Sequence, residues 1–488
     1  HQWHDEKSSS LSKVTVNNPA CRDEVVGSVS YVTQEDVKLA IHQAREVFLA
    51  WNHRSVDERA DILDVMAELL VKHQVELLAL LIREAGKTAL DALTEWRESI
   101  DFCRYYAEQA RSLMGVQVLQ GYTGESNTLR LCGRGAMVCI SPWNFPLAIF
   151  IGQVVAALVT GNTVLAKPAE QASLIARRAV ELFHEAGVPK AVLHYLPGTG
   201  EEVGVALTQD PGIAGVLFTG SNGAAKHIQR TLAQHDGAIL PLIAETGGLN
   251  AMLVDSTALP EQTIRDVIHS AFGSAGQRCS ACRILLLQED IAESFITMLK
   301  GAMAELVVGD PRWLDTDIGP VIDAEAQYNL REHQQYLEQH GRLIFQVPVV
   351  PDTGTYVAPQ AYEIDDLSVL KQEAFGPILH VVRYQRDAMF QMIEQLNALG
   401  YGLTFGVQSR IEDTVAQVIS RVHAGNIYVN RNTVGAIVGL QPFGGMGLSG
   451  TGPKAGGPYY LQRLCHEVTV SVDTTAAGGN ASLMAMEE

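Results

Sequence analysis

Ala136-Met137-Val138-Cys139-Ile140-Ser141-Pro142-Trp143-Asn144-Phe145-Pro146-Leu147 is the stretch on which the fold turns. Five apolar residues, too few for a helix, run into a turn bracketed by two prolines, and the apolar run at 147–159 then continues at helical length. That order is strand, turn, helix. It repeats downstream, with strands expected at 163–166, 192–196, 215–218 and 240–244 and helices at 173–186, 201–208 and 222–233. Strands alternating with helices of this length specify right-handed crossovers and a parallel sheet covered on both faces, an α/β architecture. Such sheets bind ligands beyond the carboxyl ends of their strands, so the turn after Ile140 is a candidate for function.

Outward from this core, Thr33 with Asp36 three residues on caps a helix whose apolar Val37, Ile41, Ala44, Phe48 and Trp51 recur at helical spacing. More helix is expected through Tyr106. Residues 117–131 alternate around Gly121, Gly124 and Asn127 and predict a hairpin leaving the main body. A second alternating region spans 250–438, and the glycine pair of Thr246-Gly247-Gly248 marks a hinge between two α/β domains. The chain thus divides into 1–115 with 137–246, then 247–448, and a small remainder of 116–136 with 449–488.

The 488 residues carry 36 basic against 55 acidic side chains, a net charge of −19. Such a chain offers no electrostatic footprint for a nucleic acid or an anionic membrane. The longest apolar run, 147–159, is shorter than the ~20 residues of a membrane span and contains Gln153, so it reads as a core helix. Seven scattered cysteines suit a reducing cytoplasm better than a secreted disulfide scaffold. The polar start lacks a signal peptide's apolar region. His1 in place of methionine reads as the mark of a fragment of a longer chain.

Three local patterns are weaker than they look. Gly86-Lys87-Thr88 resembles the end of a phosphate loop, but the motif needs glycine where Leu81 stands, so a helix end is expected. Gly198-Thr199-Gly200 with Gly204 is a thin match to a dinucleotide fingerprint. Cys279-Ser280-Ala281-Cys282 has redox or half-zinc spacing, but no second pair follows, and no metal is expected.

Three distant segments carry more. They are Ser141-Pro142-Trp143-Asn144-Phe145-Pro146, then Leu242-Ile243-Ala244-Glu245-Thr246-Gly247-Gly248, and Phe272-Gly273-Ser274-Ala275-Gly276-Gln277-Arg278-Cys279. Each alone has a plainer reading: a turn for Asn144, a solvated charge for Glu245, a buried inert thiol for Cys279. Together and in this order they resemble the NAD(P)-dependent aldehyde dehydrogenases, over almost the whole chain. The resemblance implies a Rossmann-type NAD-binding domain from 1–115 and 137–246, a catalytic domain from 247–448, and a small β oligomerisation flap with a tail from 116–136 and 449–488. It also implies a homo-oligomer.

The chemistry of that family gives each residue a task. An aldehyde cannot release hydride while its carbon is trigonal, so a thiolate adds first, and Cys279 is the candidate nucleophile. Asn144 and the Cys279 backbone N–H are candidate donors to the oxyanion. Glu245 is the candidate base for the water that cleaves the thioester, and a candidate base for the thiol as well. For the cofactor, the resemblance assigns the adenosine ribose to Lys167 and Glu170 and the nicotinamide ribose and ring to Glu373, Phe375 and Trp143. A carboxylate at Glu170 favours NAD over NADP. Gly220 and Ser221, opening a helix, can meet the pyrophosphate. Ala225 stands where many members have another glycine.

The segments Gln277-Arg278-Cys279-Ser280-Ala281, Gly425-Asn426-Ile427-Tyr428-Val429-Asn430-Arg431, Gln441-Pro442-Phe443-Gly444-Gly445 and Gly452-Pro453-Lys454-Ala455-Gly456-Gly457-Pro458 narrow the resemblance. They are similar to the glutamate γ-semialdehyde dehydrogenases, nearest to the dehydrogenase half of the bifunctional proline utilization A proteins. Ser280, Gly435 and Ala436 then correspond to a site for the substrate's α-carboxylate, and Phe145 and Phe443 flank its methylene chain. Ala436 replaces a serine found in other members. Cys282, where an apolar residue is expected, leaves room for a disulfide with Cys279. The proline dehydrogenase barrel of such proteins is absent from these residues. Open alternatives are another aldehyde as substrate, a non-catalytic NAD-binding relic, and thiol exchange at Cys279 and Cys282.

Overall fold

The computed structural model describes residues 3–4 and 13–474. Most of the polar start and of the small-residue tail lies outside the described residues. Five parallel strands form one sheet, in the spatial order Leu242–Thr246, Gly215–Gly220, Ala136–Ile140, Thr163–Lys167, Leu193–Tyr195. They are buried on both faces, which is why they read as apolar runs and not as alternation. The winding reverses between Ala136–Ile140 and Gly215–Gly220, and Ser141 and Ser221 follow the carboxyl ends of these two strands. The switch point of a doubly wound sheet is its ligand crevice.

Two expected elements differ. The fifth strand runs Leu242–Thr246 and not 240–244, because Pro241 has no N–H to give the ladder. Glu245 therefore lies inside the strand, in register with Thr219. The helix expected at 201–208 is a π-helical turn, Gly200–Gly204, followed by a short α-helix, Val205–Gln209. Gly200 and Gly204 are weak helix formers and leave the turn irregular.

Upstream, helices Gln34–Asn52, Val56–Lys72, Gln74–Ala85 and Ala89–Leu113 pack against this sheet and its helix Ala148–Val159. Thr33 and Asp36 form the expected capping box: Asp36 N donates to Thr33 Oγ1 (3.2 Å) and Thr33 N to Asp36 Oδ2 (2.8 Å). Gly86 ends Gln74–Ala85 at φ 65°, and Thr88 caps the next helix, so Gly86-Lys87-Thr88 is a helix junction.

A second sheet has seven strands in the order Gly341–Gln346, Gln360–Ile364, Ile378–Tyr384, Ile284–Gln288, Ala251–Val254, Thr404–Gln408, Asn426–Val429. All pairings are parallel except the first. It has a separate hydrophobic core. A third sheet of three antiparallel strands joins Gln117–Leu119 to Glu125–Gly133 and Glu125–Gly133 to Cys465–Asp473. Near the start, Cys21–Ser30 pairs with Lys13–Asn18 and with Trp3–His4.

Candidate active site

The helix Pro260–Phe272 runs into the loop that presents Cys279. Ser274, Ala275 and Gly276 are all left-handed, with φ of 57°, 52° and 66°. Two of them are not glycine, which costs about 1–2 kcal/mol each and needs support from the surroundings. The support is polar and buried. Asn250 Nδ2 donates to the carbonyls of Cys279 (2.6 Å) and Ala281 (3.0 Å). The Arg283 guanidinium donates to the carbonyls of Gly276 (2.5 Å), Arg278 (3.0 Å) and Gly376 (3.1 Å) and to Glu373 Oε1 (3.0 Å). Thr404 and Thr433 hydroxyls both donate to the Ser280 carbonyl. A Cβ at Gly276 would stand 2.2 Å from the Gly376 oxygen, so the cysteine loop and the Glu373-Phe375-Gly376 loop touch backbone to backbone.

Cys279, half-buried, faces a cavity of about 330 Å³ that Glu245, Ser280, Gly435, Ala436, Phe145 and Phe443 also line. Burial pushes the Cys279 thiol up to about 12, with Glu373, Glu245 and Glu98 adding to the shift. Burial likewise pushes Glu245 up to about 8, against a hydrogen bond from Gly445 N (3.1 Å, to Oε2) and the nearby Lys454 ammonium. The other oxygen of Glu245 is buried without a hydrogen-bond partner in the described structure. Gly435 has φ 76° and open space where a Cβ would be, so its backbone is bare to the cavity.

Asn144 does not line this cavity. It is buried, and its Nδ2 donates to the Gln277 carbonyl (3.2 Å), two residues before Cys279. An amide nitrogen has a second proton to offer.

The residues assigned to a cofactor collect at the strand ends. Lys167, buried, donates to the Pro168 carbonyl (3.0 Å) and to Glu170 Oε2 (3.3 Å), and burial lowers its pKa. Ser221 Oγ accepts from Ala224 N (3.3 Å) at the start of helix Asn222–Ala233, in which Ala225 is buried. A Cβ at Gly220 would meet the Phe218 ring at 2.6 Å. Trp143 and Phe375 meet edge to face at 5.5 Å, and Arg283 stacks on Phe375 at 5.1 Å. Burial raises the pKa of Glu373, and Arg283 opposes the shift.

Sequence reasoning overlooked Asn250, Arg283 and Glu98. A signal for Arg283 existed: a cation at the head of the apolar run Ile284–Gln288 must be paired if buried. Glu98 lines the cavity with its carboxyl raised to about 8 by burial and by Glu95, and nothing in the pattern of its helix marks it. Cys282 is buried and its Sγ contacts the Ile284 carbonyl (3.3 Å).

A doubly wound sheet with a ligand crevice, facing a strained loop that presents a thiol beside a buried carboxyl, is the architecture of a two-part α/β enzyme. The chain belongs to the aldehyde dehydrogenase family, whose sequence profile matches residues 3–470. It is 50% identical over 471 residues to the Bifunctional protein PutA of Salmonella typhimurium, covering 94% of this chain and 35% of that protein. It is 39% identical over 464 residues to the 1-pyrroline-5-carboxylate dehydrogenase of Geobacillus kaustophilus, covering 94% and 90%. Among solved structures, a 1-pyrroline-5-carboxylate dehydrogenase from Thermus with bound NAD superposes with a TM-score of 0.91 at 34% identity, covering 95% of this chain and 90% of that one. The chain spans about a third of the length of the PutA relatives. The expected α/β fold and family are thus borne out.

Proposed function

We propose that the chain oxidises L-glutamate γ-semialdehyde, the open form of 1-pyrroline-5-carboxylate, to L-glutamate with NAD, through a thioester on Cys279. One observation carries this: a single cavity brings the thiol, a carboxyl raised to about 8 and the Ser280–Gly435 pair together. The Cys279 S–H bond breaks as its proton passes to ionised Glu245, which releases it to solvent, and Sγ adds to the aldehyde carbon as the carbonyl electrons move to oxygen. The oxyanion is met by the free proton of the Asn144 amide and the Cys279 N–H. Bound NAD supplies the acceptor for the hydride that leaves this carbon. Glu245 then takes a proton from water as the water oxygen attacks the thioester, the C–S bond breaks, and the sulfur leaves with the electron pair. A carboxyl near 8 is matched to that task close to neutral pH.

The residues present suit NAD. An ammonium has three protons, and the buried Lys167 uses two within the protein, leaving one for a ribose hydroxyl beside Glu170. A Cβ at Gly247 would stand 1.8 Å from Glu373 Oε2, so only glycine leaves that carboxylate its place. Under this proposal Lys167 and Glu170 hold the adenosine ribose, Gly220 and Ser221 the pyrophosphate, and Glu373, Phe375 and Trp143 the nicotinamide end.

For the substrate, Ser280 Oγ with the Gly435 and Ala436 amides binds the α-carboxylate, since neutral donors suffice and need no buried cation. Phe145 and Phe443 flank the chain, and the Glu98 carboxyl is a partner for the α-ammonium. The proposal also places the enzyme in the cytoplasm, as a homo-oligomer joined through the third sheet, within a longer parent whose proline dehydrogenase module would supply the substrate.

The test is NADH formation from 1-pyrroline-5-carboxylate by wild type and Cys279→Ala. The proposal requires turnover by the first only. The alternative of a general aldehyde dehydrogenase predicts equal use of propanal.

A further inference from the structure

We propose that Lys87 and Glu95 are positioning residues for the segment that carries Asn144 and Phe145, a role that rests on the catalytic reading above. Lys87 Nζ lies 2.9 Å from Glu95 Oε2, and the two side chains are only 3% and 0% exposed. The other oxygen of Glu95 accepts from Leu147 N (2.8 Å) and Ala148 N (3.3 Å). Those amides open the helix Ala148–Val159, whose N-cap residue Leu147 makes no side-chain cap bond. The first amides of a helix have no partner within it, so a carboxylate from another helix satisfies them here. Lys87 Nζ also sits 4.3 Å over the Phe145 ring. One ion pair thus holds the chain on the far side of Asn144, Phe145 and Pro146 and the face of Phe145 as well.

One turn earlier on the same helix, Ala89–Leu113, Asp91 binds Arg278 at 2.6 Å. Arg278 precedes Cys279, and its guanidinium stands 5.6 Å from the other partner of the network, the Phe145 ring. A single helix therefore grips both segments that must meet around the reacting carbon, the oxyanion segment through Glu95 and the nucleophile loop through Asp91. Charged pairs out of water set a fixed separation because any displacement leaves a buried charge uncompensated. The junction Gly86-Lys87-Thr88 acquires a purpose beyond ending a helix: Gly86 at φ 65° turns the chain so that the next side chain enters the pair.

Lys87→Met, Glu95→Gln and Lys87→Arg, each in the whole chain, are compared in kcat, KM for NAD and melting temperature, with 1-pyrroline-5-carboxylate and propanal. Displacement of the oxyanion segment by about 1 Å is expected to lower kcat of the first two roughly 10²-fold. KM for NAD should stay within about twofold of wild type, because Lys167, Glu170 and Ser221 stand apart from the pair, and Lys87→Arg should restore most of kcat. Wild-type kcat in Lys87→Met, or parallel loss of kcat, NAD affinity and melting temperature with no rescue by arginine, would overturn the role. If Lys87→Met does not fold, Glu95→Gln decides: a roughly 10²-fold fall in kcat at unchanged KM for NAD and melting temperature supports the role, and wild-type kcat sinks it. Wild type active on propanal alone would fail the substrate assignment while leaving this comparison intact, and wild type inactive on both aldehydes would overturn both.

Discussion

A thiol held near 12 stays protonated in the free enzyme at neutral pH. Alkylation of Cys279 by iodoacetamide should therefore rise about tenfold per pH unit with no plateau below about pH 10. A plateau near pH 8 would contradict the burial that causes the shift. As the proposed base, Glu245 works in its ionised form, which appears only as pH climbs through about 8. The hydrolytic step should accelerate from pH 6 to 8 and level off above, and Glu245→Gln should be slow and flat across the range. Both measurements need only a stopped-flow NADH trace and a labelled thiol. Cys279 and Glu245, which the structure brings to one cavity, could be picked out from the chain because attack on a carbonyl calls for those residue types, whereas Asn144 lies outside that cavity against the Gln277 carbonyl. Asn250 could not be picked out, since it acts on backbone carbonyls that carry no sequence signature, and Arg283 left only the signal of a cation heading an apolar run.

At the scale of elements, the cysteine loop depends on Gly276. Alanine there would meet the Gly376 oxygen at 2.2 Å and keep an unfavourable φ of 66°. Gly276→Ala should lower stability by at least about 2 kcal/mol in urea titration and reduce kcat roughly 10²-fold. Gly223, on helix Asn222–Ala233, meets only the Ser221 hydroxyl at 4.0 Å, so Gly223→Ala should gain about 0.5–1 kcal/mol in the same titration. The strands of the first sheet were readable as short apolar runs between turns. Their spatial order was not, because neighbours such as Ala136–Ile140 and Gly215–Gly220 are brought together by pairing across long stretches of chain. The late start at Leu242 shows how one proline moves a boundary, and with it moves Glu245 from a loop into a strand.

For the whole molecule, the net charge of −19 sits awkwardly with the anionic substrate proposed above, and under that proposal the conflict is met locally by Ser280 Oγ and the Gly435 and Ala436 amides in the cavity. The third sheet leaves Val118, Tyr122 and Val472 at 82%, 85% and 46% exposure, apolar surface that suits a second copy of the chain. Val118→Asp with Tyr122→Asp should shift the protein to the elution volume of a 52.9 kDa monomer in size exclusion, with its melting curve otherwise retained. An unchanged volume would place the contact elsewhere. That same sheet has a consequence for biogenesis. Its central strand leaves the ribosome well before its partner, since Cys132 must wait for His466, 334 residues further on, before its neighbour exists. At roughly 5–20 residues per second the open edge stays unpaired for tens of seconds, through the folding of everything between. The nascent chain is therefore most prone to mispairing at this edge, and holdase chaperones should act on it before any enzyme activity can be measured.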